Sequence, residues 1–464
     1  MVRVNFDRPR MFILFFLISL VSVGCSCGVF TKKRPNVIIL VVDTLRADHL
    51  GCYGYHRNTS PNLDRLAERS VLFMDVTSQA PWTNPSIASL FTSLYPSAHH
   101  LLTLREGDNL RTLDEDIITL AEVMKSNGFA TAAYTANPWL SAGSGIESGF
   151  DTYKNLPGST TASQMNEMAM EWIRKNRGEK PFFLYIHYMD VHGPYTPPPP
   201  YDNLFSLIDS SRRELSKEEM IRMPRYLRIE GLTTLDEYGR RYDGGIRYWD
   251  ECLATFLEEL GVESVLQNSI LIVTADHGEE FLEHGGFNHG STLFQEQIRV
   301  PLIWWIPSTT TSVQKIREPV ELVDVMPTLL SLLGLKRPEV LQGDDVSPLL
   351  SRDTFTPSPV FSEATVGFGG IPLPEGTMKS VRIGRLKAIM NLDTGEVSLY
   401  DLSSDPGERM DSSGGRDRET NALLKELRDW METNALIGGR YESGQQSLSQ
   451  DVRERLKALG YIDR

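Results

Sequence analysis

Cysteine is scarce, with four in 464 residues. Cys25 and Cys27 fall in an N-terminal apolar segment, which leaves Cys52 and Cys252 in the body. Two cysteines so widely separated make no disulfide framework, and nothing has zinc-finger spacing. Basic charge is short as well. Lys plus Arg number 47 against 61 for Asp plus Glu, a formal charge of -14. With no basic excess to neutralise a phosphate backbone, no nucleic-acid partner is expected. Small anionic substrates stay open, because one bound metal ion inverts the local field. Internal repeats are missing too. The composition, 41% hydrophobic and 23% charged, excludes a collagen-like, disordered or multi-span membrane protein. The length allows two or three domains of about 150 residues each.

The N-terminus reads as an export segment. Arg3, Arg8 and Arg10 precede an uncharged stretch from Met11 to Phe30. Its apolar heart, Met11 to Val23, has the size of a signal-peptide core and is short for a spanning helix. Val21-Ser22-Val23-Gly24-Cys25 is similar to a bacterial lipoprotein cleavage box, although Ser22 stands where an aliphatic residue is usual. An uncleaved anchor is the alternative, since Lys32-Lys33-Arg34 follow directly. Residues 1–34 are therefore expected to export the chain to the cell envelope or surface. Membrane contact would run through this segment only.

Past that point the pattern is α/β. Asn36 to Val42 (NVIILVV) is a continuous aliphatic run, as in a strand buried on both faces of a parallel sheet. Pro181 to His187, Ser269 to Thr274 and Val300 to Ile306 read the same way. Helical patterns lie between them, over Leu63 to Ser70, Thr119 to Asn127, Ala162 to Lys175 and Asp236 to Leu260. The last carries Tyr242, Ile246, Trp249, Leu253, Phe256 and Leu260 at spacings of three and four. Alternating strands and helices predict a mostly parallel central sheet flanked by helices, with ligands at the carboxyl ends of the strands. The segment Ser351 to Gly376 is dense in Pro, Gly, Ser and Thr. It divides a body over 35–350 from a smaller C-terminal α+β region over 351–464. That region holds a hairpin over Lys379 to Tyr400 and an amphipathic helix over Glu419 to Asn434.

Three strand ends carry metal-type ligands: Asp43, then Asp190 with His192, then Asp276-His277-Gly278-Glu279-Glu280 followed by His284 and His289. Any single histidine is more often a satisfied core or surface residue. That reading weakens for His192, His277 and His289, which closely follow apolar strands. Carboxylate and imidazole together suit a hard or borderline divalent ion such as zinc, manganese or magnesium. Separately, the Thr83-Asn84-Pro85-Ser86 segment places a hydroxyl at a helix start, where backbone N–H groups favour an anion. A hydroxyl activated by a metal is a competent nucleophile. On the fragment alone, simple helix capping by Thr83 or Ser86 is the better reading.

The joint order of these motifs resembles the sulfatase family of the alkaline-phosphatase-like superfamily. The resemblance rests on Asn36 to Tyr53, Thr83-x-Pro-Ser86, Met189-Asp190-x-His192 and Thr274 to His289. It extends to Gln297 to Ile303, Leu322 to Gly334 and Leu399 to Glu408. It implies an alkaline-phosphatase-like fold and an ester hydrolase holding one or two divalent ions, whether zinc, manganese, calcium or magnesium. Asp43, Asp276 and His277 would hold the metal that activates Thr83. Asp190, His192 and His289 would hold a second metal or contact the substrate's anionic oxygens, and Asn137 would donate to a non-bridging oxygen. Glu279, Glu280, His284 and Asp324 would support these residues, and His99 and His100 would take no part in catalysis.

The departures matter. The family's Cys or Ser nucleophile is Thr83, and the Arg of its maturation motif is Ile87, so formylglycine is not expected. The usual second Asp is Thr44, and the later active-site Lys is His289. A sulfo-threonine cannot collapse to an aldehyde as a formylglycine hydrate does. The family thus implies a sulfate ester, while the nucleophile argues for a phosphate or phosphonate ester. A transferase passing the group to a glycan or lipid headgroup and a non-catalytic binding module are the other classes. Either way the substrate is a small anionic ester, free or glycan- or lipid-linked, whose alcohol would be chosen by the Pro194 to Arg225 and Gly367 to Lys379 loops.

Overall fold

The computed structural model describes residues 34–102, 105–106, 109–141, 143–178, 180–205, 213–307, 314–351, 353–365, 377–447 and 449–458. The export segment and most of the Gly367 to Lys379 loop lie outside the described residues. An eight-stranded sheet runs in the order Gln314–Ile316, Val71–Phe73, Leu302–Trp305, Ser269–Thr274, Asn36–Val42, Phe182–Tyr188, Ala130–Thr135, Thr152–Asn155. The Asn36–Val42 strand sits at its centre, parallel to both neighbours and almost wholly buried, which explains its unbroken aliphatic run.

Helices cover both faces. Along Phe182–Tyr188, side chains alternate between faces. Phe182 packs on Trp172 and Tyr188 on Trp249, from the helices Ala162–Asn176 and Leu235–Val262. Phe183 and Tyr185 pack on Phe91 of the helix Thr83–Thr92, with Tyr185 at 4.9 Å between ring centroids. His187 shares that second face. The expected parallel sheet is therefore present, with one exception. Leu302–Trp305 runs antiparallel to both its neighbours. A parallel return would need a crossover to the opposite end of the sheet. Residues 275–301 make no such crossover; they stay at the carboxyl end, where they carry His277 and His289, and the next strand must run back.

The C-terminal region is a four-stranded antiparallel sheet of Val360–Thr365, Thr377–Ile383, Leu386–Asn391 and Val397–Asp401. Helix Asp417–Gly438 covers it, longer at both ends than its apolar pattern suggested, with Trp430 stacked on Phe361 at 4.5 Å. Beyond this helix the chain returns to the main body. Gly444–Ser447 pairs with Asn109–Thr112, and Gln450–Ala458 packs on the Pro138–Leu140 turn. Cys52 and Cys252 are both free.

Candidate active site

The carboxyl ends of four strands converge on one buried point. Asp43 follows the central strand, and Asp276 and His277 follow Ser269–Thr274. All three are fully buried, and among the described residues they form the one group spaced to hold a metal ion. Each carboxylate is half satisfied. Asp43 Oδ2 accepts from Asn137 Nδ2 at 2.7 Å and from His187 Nε2 at 2.9 Å, while Oδ1 has no hydrogen-bond partner among the described residues. Asp276 Oδ1 accepts from the backbone N–H of His277 at 2.9 Å and of Thr44 at 3.3 Å, while Oδ2 has none. The two orphan oxygens lie 3.6 Å and 3.4 Å from His277 Nε2.

The histidine tautomers follow from these partners. His277 Nδ1 lies 2.9 Å from the Gly278 carbonyl, which only accepts, so Nδ1 carries the proton and Nε2 presents a lone pair. His187 is the reverse, donating from Nε2 to Asp43 and accepting from the Tyr185 hydroxyl at 2.7 Å. Burial would raise the Asp43 pKa, but the His187 bond and the field of His192 hold it well below the carboxylate range. Asp276 is pushed up, first by burial and then by Asp43. Burial lowers His277 to about 4, keeping its ring neutral. Two buried carboxylates with orphan oxygens beside an imidazole lone pair fit a divalent cation, which would relieve both the repulsion and the missing partners.

Local structure sets this geometry. Gly278 crosses so close to the neighbouring chain that a Cβ there would lie 2.0 Å from the Glu296 carbonyl. Thr44 takes a left-handed φ of 60°, costly for a β-branched residue. Its N–H bond to Asp276 and its hydroxyl bond to the Asp43 carbonyl hold it there. Thr44 offers no ligand; it orients the two aspartates.

Thr83 is the first residue of its helix, and its side chain makes no cap. Its Oγ1 accepts from Asn137 Nδ2 at 3.0 Å, faces Asp43 Oδ2 at 3.5 Å and lies 3.4 Å from His277 Nε2. Ser86 does not cap either; it donates to the Asp276 carbonyl at 2.6 Å. The capping reading favoured by the fragment alone thus gives way, because both hydroxyls are drawn to the aspartate cluster.

The other expected residues fall around this point. His289 stacks near His277, with ring centroids 4.4 Å apart, and its Nδ1 bonds Glu279 at 3.1 Å. His192 lies 5.1 Å from His289 and bonds the Gly193 carbonyl through Nδ1. Asp190 lies outside the cluster of three; its Oδ1 accepts from the Ala162 N–H at 3.0 Å, at the start of a helix. Burial raises its pKa to about 6. His99 is buried against Ser89 and the Pro85 carbonyl, and His100 bonds the Gly438 carbonyl. His187 is the residue that sequence reasoning passed over. Its signal was a lone imidazole in an otherwise apolar and aromatic strand, where a buried polar ring must find partners.

A family model for sulfatases matches residues 35–335. The chain belongs to the sulfatase family. A second model, for the C-terminal part of N-sulphoglucosamine sulphohydrolase, matches residues 282–435. The chain is similar to the uncharacterized sulfatase YidJ of Escherichia coli (strain K12), 22% identical over 81% of this chain and 82% of that protein. It is 24% identical to arylsulfatase K of Mus musculus, over 81% of this chain and 76% of the relative. Among solved structures, the phosphonate monoester hydrolase of Agrobacterium radiobacter superposes with a TM-score of 0.70 at 18% identity, covering 89% of this chain and 97% of that one. BT4656, in complex with its substrate D-glucosamine-2-N,6-O-disulfate, superposes with a TM-score of 0.71 at 20% identity, covering 87% and 98%. As a sulfatase this chain is a hydrolase acting on ester bonds. Among the described residues no helix is long and apolar enough to cross a membrane.

Proposed function

We propose that this sulfatase hydrolyses a sulfate ester with Thr83 as its nucleophile. The observation that carries the reading is the placement of Thr83 Oγ1 within 3.5 Å of Asp43, His277 and Asn137 together. Asp43, Asp276 and His277 would hold a divalent ion, which when bound stabilises the deprotonated hydroxyl and the charge on the ester oxygens. The Thr83 proton faces Asp43, while Asn137 fills an oxygen lone pair and fixes the side-chain rotamer. The oxygen then attacks sulfur in line as its proton is lost, the sulfur–oxygen bond to the alcohol breaks and the alcohol leaves with a proton, and water cleaves the threonine sulfate to release sulfate and restore the Thr83 hydroxyl. His289, beside His277, and His192, beside His289, would contact the equatorial oxygens.

A second reading rests on the same residue. Thr83 has no aldehyde to collapse, which favours phosphate or phosphonate esters, whose intermediate water can attack directly. Export to the cell envelope belongs to the proposal too, carried by the Met11 to Cys25 sequence alone. Metal-loaded protein should be assayed on 4-nitrophenyl sulfate, phosphate, phosphate diester and phosphonate, with Thr83→Ala in parallel. Sulfate turnover lost in the variant supports the first reading. Turnover of phosphorus esters alone supports the second, and turnover surviving in the variant ends both.

A further inference from the structure

A cavity of about 580 Å³ opens beside the Thr83 site, a size typical of small-molecule pockets. Two of its lining residues adjoin the chemistry. Pro138 follows Asn137, and the His192 ring meets the His289 ring edge-on, with centroids 5.1 Å apart. Given the ester hydrolysis proposed above, the alcohol displaced by Thr83 has this cavity beside it. Most of the lining is proline and other uncharged residues, with Tyr248 on the long helix. Two charged groups break that lining, Asp190 and Arg455.

Arg455 comes from the far end of the chain. The pairing of Gly444–Ser447 with Asn109–Thr112 brings the chain back, and the Gln450–Ala458 helix then packs on the Pro138–Leu140 turn. The guanidinium bonds two neutral acceptors, Asn155 Oδ1 and the Leu156 carbonyl. Its Nε is buried without a hydrogen-bond partner among the described residues. Among the described residues the one carboxylate paired with it, Asp451, lies 3.8 Å away and is 80% exposed, so the pair is loose and screened. Asp190 Oδ2 is likewise buried without a hydrogen-bond partner. A half-buried cation held by neutral groups and an orphan carboxylate oxygen thus line one cavity.

We propose that Arg455 binds a second anionic group carried by the leaving alcohol, while Asp190 accepts a hydrogen bond from a hydroxyl of the same moiety. The substrate is then an ester whose alcohol half is itself charged and hydroxylated. A planar guanidinium suits a carboxylate or a further sulfate, and it retains donors beyond the two already used.

The test compares isosteres that differ in one charge. Binding of 4-hydroxybenzoate and 4-hydroxybenzamide to the full chain is measured by NMR titration, without turnover. The sulfate and phosphonate esters of the same two phenols are then assayed in wild type, Arg455→Met and Arg455→Lys. The wild type should favour the carboxylate in binding and in KM by about tenfold. Arg455→Met should cut that preference to within about twofold, and Arg455→Lys should keep part of it. Equal affinity of the wild type for the two phenols, or an equal loss on both esters in Arg455→Met, would make Arg455 a structural tie and overturn the proposal. If neither ester turns over, the hydrolase reading fails, and the binding comparison still decides the role of Arg455.

Discussion

Asn137 donates from one amide nitrogen both to Thr83 Oγ1, at 3.0 Å, and to Asp43 Oδ2, at 2.7 Å. Its orientation is fixed from the other end, because Oδ1 accepts from the Trp139 N–H at 2.8 Å and its own carbonyl accepts from Asn155. The amide therefore joins Thr83, the proposed nucleophile, to the carboxylate expected to hold the metal. Asn137→Ala should lower kcat by about 10²–10³, the range for losing one preorganised donor at a reacting oxygen. Asn137→Asp should do worse, because it sets a second carboxylate against Asp43. Steady-state kinetics with metal content measured on the same samples would check this, and a loss explained by lost metal would reassign Asn137 to holding the site.

Thr83 makes no cap hydrogen bond, so its removal should leave the helix and the fold intact. Thr83→Ala is expected to retain metal, melt within a few degrees of wild type and lose at least about 10³ in kcat. Thr83→Ser should keep measurable activity. The peptide spanning residue 83 should carry an unmodified threonine by mass spectrometry, since Ile87 stands where the maturation motif has Arg. An oxidised, carbonyl-bearing side chain at residue 83 would refute the Thr83 nucleophile directly.

Tyr185, His187 and Asp43 form a buried chain of hydrogen bonds beneath the proposed metal. Partners that orient a metal's ligands typically contribute about 10–100-fold to metal affinity when removed. His187→Gln should weaken zinc or manganese binding by that factor in a calorimetric titration, and Tyr185→Phe should weaken it less. Chelation should lower the melting temperature of the wild type, because an ion at 100 times its Kd stabilises the fold by about 2.7 kcal/mol. A melting temperature insensitive to both chelator and added metal would argue against any ion at Asp43, Asp276 and His277.

How far the sequence disclosed this site depends on what each residue answers to. Asp43, Asp276 and His277 were legible because they end apolar strands, and strand ends are where an α/β sheet gathers its ligands. Thr83 and Asn137 were visible only through the family's motif order; on local evidence Thr83 read as a cap. His187 was hidden because it sits within a strand, and only the register beside Asn36–Val42 brings it to Asp43. The reversal of Leu302–Trp305 escaped too, since an apolar run says nothing of its direction. Arg455 was the least accessible, because a C-terminal helix reaches the cavity only through the pairing of Gly444–Ser447 with a distant strand.

His284 ties the site-bearing segment to the C-terminal region. Its Nδ1 lies 2.5 Å from Glu296 Oε1, its Nε2 bonds the Glu408 carbonyl at 3.0 Å, and its ring stacks on Phe294. Both ring nitrogens face acceptors, which only the imidazolium satisfies. Burial opposes the charge, but the Glu296 bond outweighs it, and the pKa is raised above 6.5. A group whose folded pKa is raised stabilises the fold fully below its unfolded pKa, about 6.5 for His. That contribution is lost as pH rises through the folded value. The melting temperature of the wild type should therefore exceed that of His284→Gln most at pH 6, and the gap should narrow through and above neutrality. Melting curves of metal-loaded protein from pH 6 to 9 would measure it. A gap independent of pH would mean that His284 acts through its stack on Phe294 alone, without the charge that its two acceptors demand.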